Sequence, residues 1–363
     1  MKVFFTNNGL EGCYNARCLF PLQENGWDGD RTTMSLQRIS AEQKAKAVVD
    51  ADVVVFHRPD QEYQLALARK LKQVGKKIVF DNDDTYLDHN GFKFNDYMSE
   101  EKIKKGLGEL DKNIKTFIEL SDLVTCTTEA LKKEYEQTHS NVVVLPNCVD
   151  PFYFPEPKRN ETDIVRIGIT GSVGITSDVE VLKPIIEHYQ HDPRVRLVLL
   201  SLPPQGNNEI YKKIYVDEYA FWNKVNIEWH SFVGSDVYYE YLNDLKLDMV
   251  IIPRSDSYFN RCKSNLKFLE NSLLEIPTIA QSFSTGDSPY EQNPEDKNYL
   301  LLADTTEMWI TQIEILIASK ELRRSLGKKA HDYVAENYTI EKHAHLWKEA
   351  YETLFINKQK NVS

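Results

Sequence analysis

The sequence predicts an α/β protein of two successive Rossmann-like units whose parallel sheets face a central cleft. Three observations predict it. Short β-branched runs alternate with longer amphipathic segments, the pattern of strands and helices wound about a mainly parallel sheet. The alternation halts at a proline-rich stretch, PNCVDPFYFPEPKRNETD, and then restarts. The 363 residues suffice for two cores, and the 41% hydrophobic and 27% charged fractions lie close to globular averages.

In the first unit, apolar β-branched or aromatic runs read as strands at 2–6, 52–57, 76–81, 122–126 and 141–145. Amphipathic stretches between them read as helices at about 14–24, 61–73, 100–120 and 128–137. Pro151, Pro155 and Pro157 interrupt regular structure and mark the linker, 151–162. The second unit reads as strand 165–171, helix 178–189, strands 195–201 and 225–230, helix 236–245 and strand 248–253. The helical KSNLKFLENSLLE and the strands PTIAQ and NYLLLAD follow. Beyond Thr305 the text is nearly all helical, with breaks near Lys320 and Asn337. The expected division is 1–150, 151–162, 163–338 and a final helix, 339–363, that returns to the first unit.

Composition removes several function classes. The five cysteines, Cys13, Cys18, Cys126, Cys148 and Cys262, are odd in number and form no C-x-x-C pair, so reduced thiols in a cytoplasmic protein are expected. The start MKVFFTNNGLEG has no readable signal peptide, and no apolar run approaches the roughly 18–20 residues that span a bilayer. A net charge of −11 opposes wrapping nucleic acid over the whole surface but leaves room for a local basic cleft.

Such a cleft is written into RSDSYFNRCKSNLKFLENSLLE, where Arg254, Arg261, Lys263 and Lys267 fall within 14 positions of an acidic chain. Ser264 is placed to cap a helix beginning at Asn265, with Lys263 at its mouth beside free N–H groups suited to phosphate. Lys263, Lys267 and Glu270 then share one helix side, able to hold a diphosphate and ribose hydroxyls; a solvated Lys/Glu face is the alternative. A second polar concentration, IVFDNDDTYLD, ends a strand with Asp81, Asp83 and Asp84 and admits three readings: metal cage, base or strand cap. His57 and Arg58, in FHRPD, end the preceding strand and point toward the same cleft.

R-x-K-S-N-L-K-F-L-E followed by N-S-L-L-E-I-P-T-I-A resembles the donor motif of GT-B glycosyltransferases of family 4. Glu270 matches the second Glu of the family's E-x7-E motif; Cys262 stands at the first, Asn265 where Gly is usual, and Glu275 where Gly precedes Ile276-Pro277. VVVLPNCVD resembles the segment closing the N-terminal domain, with Asn147 and Asp150 matching. GITGS, with Gly171 and Ser172, resembles the glycine turn whose backbone approaches donor phosphates. The Arg and Lys that follow this turn in the family are missing, the next basic residue being Lys183, so the phosphate role moves to Arg254 and Lys263. NNGLEGCYNARCLFP, with Gly9 and Gly12, resembles the first loop and helix, and TIEKHAHLWKEAY the last helix.

The resemblance implies a retaining, nucleotide-sugar-dependent glycosyltransferase that needs no metal or other cofactor. The leaving diphosphate would be stabilised by Arg254, Lys263 and the helix N-terminus, with Ser264, Asn265 and Lys267 beside it and Glu270 on the ribose. Gly171 and Ser172 would press on the phosphates; Gly9, Gly12, His57, Arg58, Asp83 and Asp84 would line the acceptor side. The implied acceptor is a glycan or lipid-linked saccharide, with a hydroxymethylated DNA base as an alternative. A sugar-nucleotide epimerase on the same fold and a two-lobed periplasmic-type binding protein, which expects an export signal, are the other readings. Lys102, Lys104, Lys105, Lys112 and Lys115 offer peripheral contact with an anionic inner membrane face, and monomer and homodimer both stay open.

Overall fold

The computed structural model describes residues 1–6, 12–29, 41–86, 100–171, 178–201, 220–291 and 299–356, the side chains of 41 and 100–107 apart. Gly9 and Ser172 lie outside the described residues, as do the side chains of Lys102, Lys104 and Lys105.

Two six-stranded sheets organise the chain. The first has the order β2-β1-β3-β4-β5-β6, formed by Asp28–Gly29, Val3–Thr6, Val53–His57, Lys77–Asn82, Leu123–Cys126 and Val142–Val144. The second has the order β12-β11-β10-β7-β8-β9, formed by Leu301–Ala303, Thr278–Gln281, Met249–Ile252, Val165–Thr170, Val195–Ser201 and Glu228–Ser231. Every pairing is parallel. Such sheets bury both faces, which is why their strands are nearly unbroken apolar runs rather than alternating ones.

Alternate residues of each strand feed two cores. Val3, Phe5, Val53, Val55 and Val79 pack with Tyr14, Leu19, Trp347 and Tyr351 on one face of the first sheet. Phe4, Val54, Phe56, Ile78 and Phe80 pack with Leu65, Phe117 and Tyr135 on the other. In the second sheet Ile167, Ile169, Leu199 and Ile251 meet Leu182, Ile186 and Trp309, while Val198, Val250 and Ile252 meet Leu269, Leu273 and Val334. The final helix, Ile340–Glu352, thus contributes Trp347 and Tyr351 to the core of the first sheet. The chain passes between the halves twice, and the passages are bonded: Val149 N–H donates to Tyr338 O and Ile340 N–H to Val149 O, both at 2.9 Å.

Several elements depart from the pattern-based reading. The helix expected over 14–24 opens with a π-helical turn at Asn15–Leu19 before Phe20–Glu24. A helix at Ala41–Asp50 and the two-residue strand Asp28–Gly29 have too little apolar content to be read beforehand. The strand expected over 225–230 is Glu228–Ser231, and that in NYLLLAD contracts to Leu301–Ala303. The helix read from Lys263 onward begins only at Leu266 and ends at Leu273, preceded by a separate short helix, Tyr258–Cys262. Among the described residues no helix is long and apolar enough to cross a membrane.

Candidate functional site

Parallel strands deliver their last residues to one sheet edge. In the first sheet the register places His57 beside Asp81 and Asp81 beside Thr125. Asp81 is fully engaged: it takes a hydrogen bond from Thr125 Oγ1 at 2.6 Å, meets His57 Nδ1 at 2.8 Å and pairs with Arg17. Arg17, itself wholly buried, holds the Asp81 carboxyl at about 2 despite burial, and His57 adds to that. Of the three readings of IVFDNDD, Asp81 is therefore the buried partner of an arginine and a histidine.

Asp83 and Asp84 do different work. Arg58 Nε donates to Asp83 Oδ1 and Arg58 Nη2 to Asp84 Oδ2, each at 2.6 Å. Asp83 is held far below the usual carboxylate range by Arg58, with His57 and Lys263 assisting, although burial opposes this. Arg58 has φ 48°, a left-handed backbone unusual for a side chain of this size, which turns its guanidinium onto both carboxylates. His57 does not line an open cleft as expected. It is 3% exposed, with Nε2 3.6 Å from Cys13 Sγ. Gly12 adjoins this group, with nothing within 4 Å of where a Cβ would stand.

Three of the four clustered cations in the second half are already matched. Arg254 Nη1 lies 2.8 Å from Asp178 Oδ2, and Asp178 also accepts from Ser255 N–H and Asn260 Nδ2, each at 2.9 Å. Arg254, expected at the phosphate, is thus paired with a buried carboxylate 76 positions away. Its Nε is nevertheless buried without a hydrogen-bond partner among the described residues. Arg261 Nε reaches Asp287 at 3.0 Å, and Lys263 crosses to Asp84 with its ammonium 4.1 Å over the Phe259 ring.

Lys267 is the exception. Half-buried on the first turn of Leu266–Leu273, it has no hydrogen-bond or ion-pair partner among the described residues. Its Nζ would stand 2.5 Å from a Cβ placed on Gly171, whose φ of +101° belongs to glycine. Burial lowers the Lys267 ammonium to about 8, and burial raises the nearby Glu270 carboxyl to about 7 against the pull of Lys267. Glu270 accepts from Tyr239 Oη at 3.4 Å, and Tyr239 stacks on Phe154 with centroids 4.0 Å apart.

The expected cap is also corrected. Asn265, not Ser264, occupies the helix N-cap, and no side chain caps the helix. Ser264 Oγ accepts instead from Asn147 Nδ2 at 2.8 Å, a bond from the segment that closes the first half. The Asn265 side chain turns to Tyr338. No side chain caps the first-turn N–H groups beside Lys267, and such a helix start attracts anions. Lys183, the next basic residue after the glycine turn, pairs with Glu180 on its own helix.

The halves also meet through Thr128 Oγ1 donating to Cys262 O at 3.0 Å and Asn15 Nδ2 donating to Ser235 O at 2.9 Å. The two polar groups, Arg58-Asp83-Asp84 and Gly171-Lys267-Glu270, thus stand on either side of one junction with Lys263 between them. Sequence reasoning missed Arg17, Cys13, Asp178 and Tyr239. An arginine inside an otherwise apolar helix was the one available signal, for Arg17.

No family model and no curated sequence matches the chain, but solved structures do. Sucrose-phosphate synthase from Thermosynechococcus elongatus superposes with a TM-score of 0.64 over 98% of this chain and 99% of its own, at 12% identity. Anabaena HepE in complex with UDP-glucose superposes with a TM-score of 0.63 over 97% and 100%, at 12% identity. A glycosyltransferase from Rickettsia africae gives 0.59 over 98% and 99%, also at 12% identity. The architecture is GT-B, along the whole chain.

Proposed function

We propose that the protein transfers a glycosyl group from a nucleoside diphosphate sugar to an acceptor hydroxyl, with retention of configuration. The observation that carries this reading is Lys267: a half-buried cation with no hydrogen-bond or ion-pair partner among the described residues, between a left-handed glycine and an uncapped helix start, with buried Glu270 one turn further on. That set matches a diphosphate and the adjoining ribose hydroxyls. The HepE structures with UDP and with UDP-glucose support the same chemistry by likeness of fold.

In this reading the diphosphate sits at Gly171 and Lys267, and Lys263 leaves Asp84 to join it. Positive charge from the two lysines and the helix start stabilises the leaving group, without a cation on the diphosphate. Arg254 acts through Asp178, which ties the strand end to Ser255 and Asn260 and so fixes the loop that precedes Lys263. Glu270 receives the ribose. Arg58, Asp83 and Asp84 face the acceptor, and a donor phosphate oxygen takes the acceptor proton. The units at 1–150 and 163–338 close about 151–162 to exclude water, with the last helix on the first unit.

A glycan or lipid-linked saccharide is the acceptor class proposed. The test is titration calorimetry with UDP and a panel of nucleotide sugars, then turnover with saccharide acceptors and NMR of the product anomer. Binding weakened by Lys267→Ala and a retained anomer are expected. Failure of every nucleotide sugar to bind overturns the proposal.

A further inference from the structure

Three neighbouring strands bring a thiol, an imidazole and a carboxylate together on the first half of the molecule. Cys13 follows β1, His57 ends β3 and Asp83 follows β4, and these strands are adjacent in the sheet. All three side chains are buried, and one ligand atom from each lies within 4.8 Å of the others. The Cys13 Sγ to His57 Nε2 distance is 3.6 Å. A tetrahedral centre about 2.3 Å from sulfur and about 2.0 Å from nitrogen sets those atoms roughly 3.5 Å apart.

The imidazole is already oriented for such a role. Asp81 holds Nδ1 at 2.8 Å and so turns Nε2 toward Cys13, the carboxylate-histidine arrangement that backs metal-bound imidazoles. Asp83 gives Oδ1 to Arg58 and keeps a second oxygen.

We propose that Cys13, His57 and Asp83 bind one divalent transition-metal ion of the zinc class, with Asp81 supporting His57. The sulfur, nitrogen and oxygen donors select such an ion over magnesium or calcium, which take oxygens. Electrostatics permits it: Arg17, Arg58 and Lys263 balance Asp81, Asp83 and Asp84, so a divalent ion with a Cys13 thiolate adds a single positive charge. On binding, the Cys13 S–H proton leaves to solvent and its sulfur lone pair forms the metal bond, with no change of oxidation state. Because binding displaces that proton, uptake strengthens as pH rises. The site stands at the strand ends of the first sheet, apart from Lys267 and Gly171, and the proposal does not depend on glycosyl transfer.

The test uses the full chain, stripped with a chelator and titrated with Co(II). One ion per chain and a near-ultraviolet thiolate-to-cobalt charge-transfer band are expected, displaced by one equivalent of Zn(II). Cys13→Ser should lose the band, and Asp83→Asn should keep it with affinity lowered by about tenfold or more. No band in the unaltered protein, or a band that survives Cys13→Ser, overturns the proposal. Should Cys13→Ser fail to fold, X-ray absorption on the zinc-loaded unaltered chain decides. A single sulfur beside nitrogen and oxygen ligands is expected, and none or several overturns it.

Discussion

The Lys263 ammonium, from the second half of the chain, closes on Asp84 of the first, while the other Asp84 oxygen takes Arg58 Nη2 at 2.6 Å. One carboxylate therefore spans a cation from each half. On the proposed function, a diphosphate arriving at Lys267 would compete with Asp84 for Lys263. The pair is only partly buried, at 23% and 22% exposure, so its release costs little, about 1 kcal/mol. Asp84→Asn is expected to tighten UDP binding by about threefold to fivefold, and Lys263→Ala to weaken it by about tenfold. Calorimetry checks both, and weaker UDP binding in Asp84→Asn contradicts the competition.

Gly171→Ala tests the other side of the same proposed anion site. A methyl group would lie 2.5 Å from Lys267 Nζ and require an alanine at φ +101°. Displacing the lysine removes the cation, and the backbone strain costs on the order of 1–3 kcal/mol. Lower urea stability together with lost UDP affinity is expected. Unchanged binding would separate Lys267 from the nucleotide.

The strands could be read from the sequence because both sheet faces are buried: Val53, Val54 and Val55 are each 0% exposed, and such runs are visible without partners. Ala41–Asp50 escaped because tertiary placement, not periodicity, holds it; Val48 enters the core there and Ala47 packs against it. Asp28–Gly29 is a strand only because Phe4 and Phe5 pair with it. Ser264 had the residue type of a cap, but Asn147, 117 positions away, claimed its hydroxyl. The cation cluster was legible as a composition, whereas its division into matched and unmatched members was not. Asp178, Asp287 and Asp84 choose their partners through the fold. Glu275, which stands where a glycine was expected, does adopt a left-handed φ of 52°, with Arg159 on its carboxylate.

Asp81→Asn should be among the most damaging single changes. Arg17 is 0% exposed, and removing its carboxylate leaves a buried charge unpaired, a loss of about 3–5 kcal/mol. The sign with pH follows from the lowered Asp81 carboxyl. Its stabilisation is present above the ordinary value of 3.8 and is lost as pH falls through that value toward about 2. Urea midpoints from neutral pH into acid should fall more steeply for the unaltered protein than for Asp81→Asn. Equal slopes would mean that Asp81 is not the group titrating.

Replacing Arg58 separates backbone strain from charge. Arg58→Ala and Arg58→Gly both delete the bonds to Asp83 and Asp84, but only glycine relieves φ 48°. The glycine variant should be the more stable by about 1 kcal/mol. If alanine is as stable as glycine in urea melts, the left-handed conformation is not what that position stores.

Glu270 gives the protein a pH response opposite to that of Asp81, and Lys267 one in the same direction as Asp81 at higher pH. The Glu270 carboxyl is raised by burial from 4.5 to about 7, so the folded state holds its proton where the unfolded chain has released it. That contribution is fully present below 4.5 and is lost as pH rises through about 7. Lys267 is lowered from 10.5 to about 8, so its contribution is present above 10.5 and is lost as pH falls through about 8. Both groups are charged between those limits, and there the empty site is least stable. On the proposed function, a bound diphosphate would change the balance by pairing with the Lys267 ammonium, so UDP should stabilise the protein most where the site is fully charged. Glu270→Gln should flatten the decline in urea stability from about pH 5 to about pH 7, a difference on the order of 2 kcal/mol at its upper end. If the unaltered chain and Glu270→Gln decline in parallel across that window, the carboxyl is not held protonated by burial.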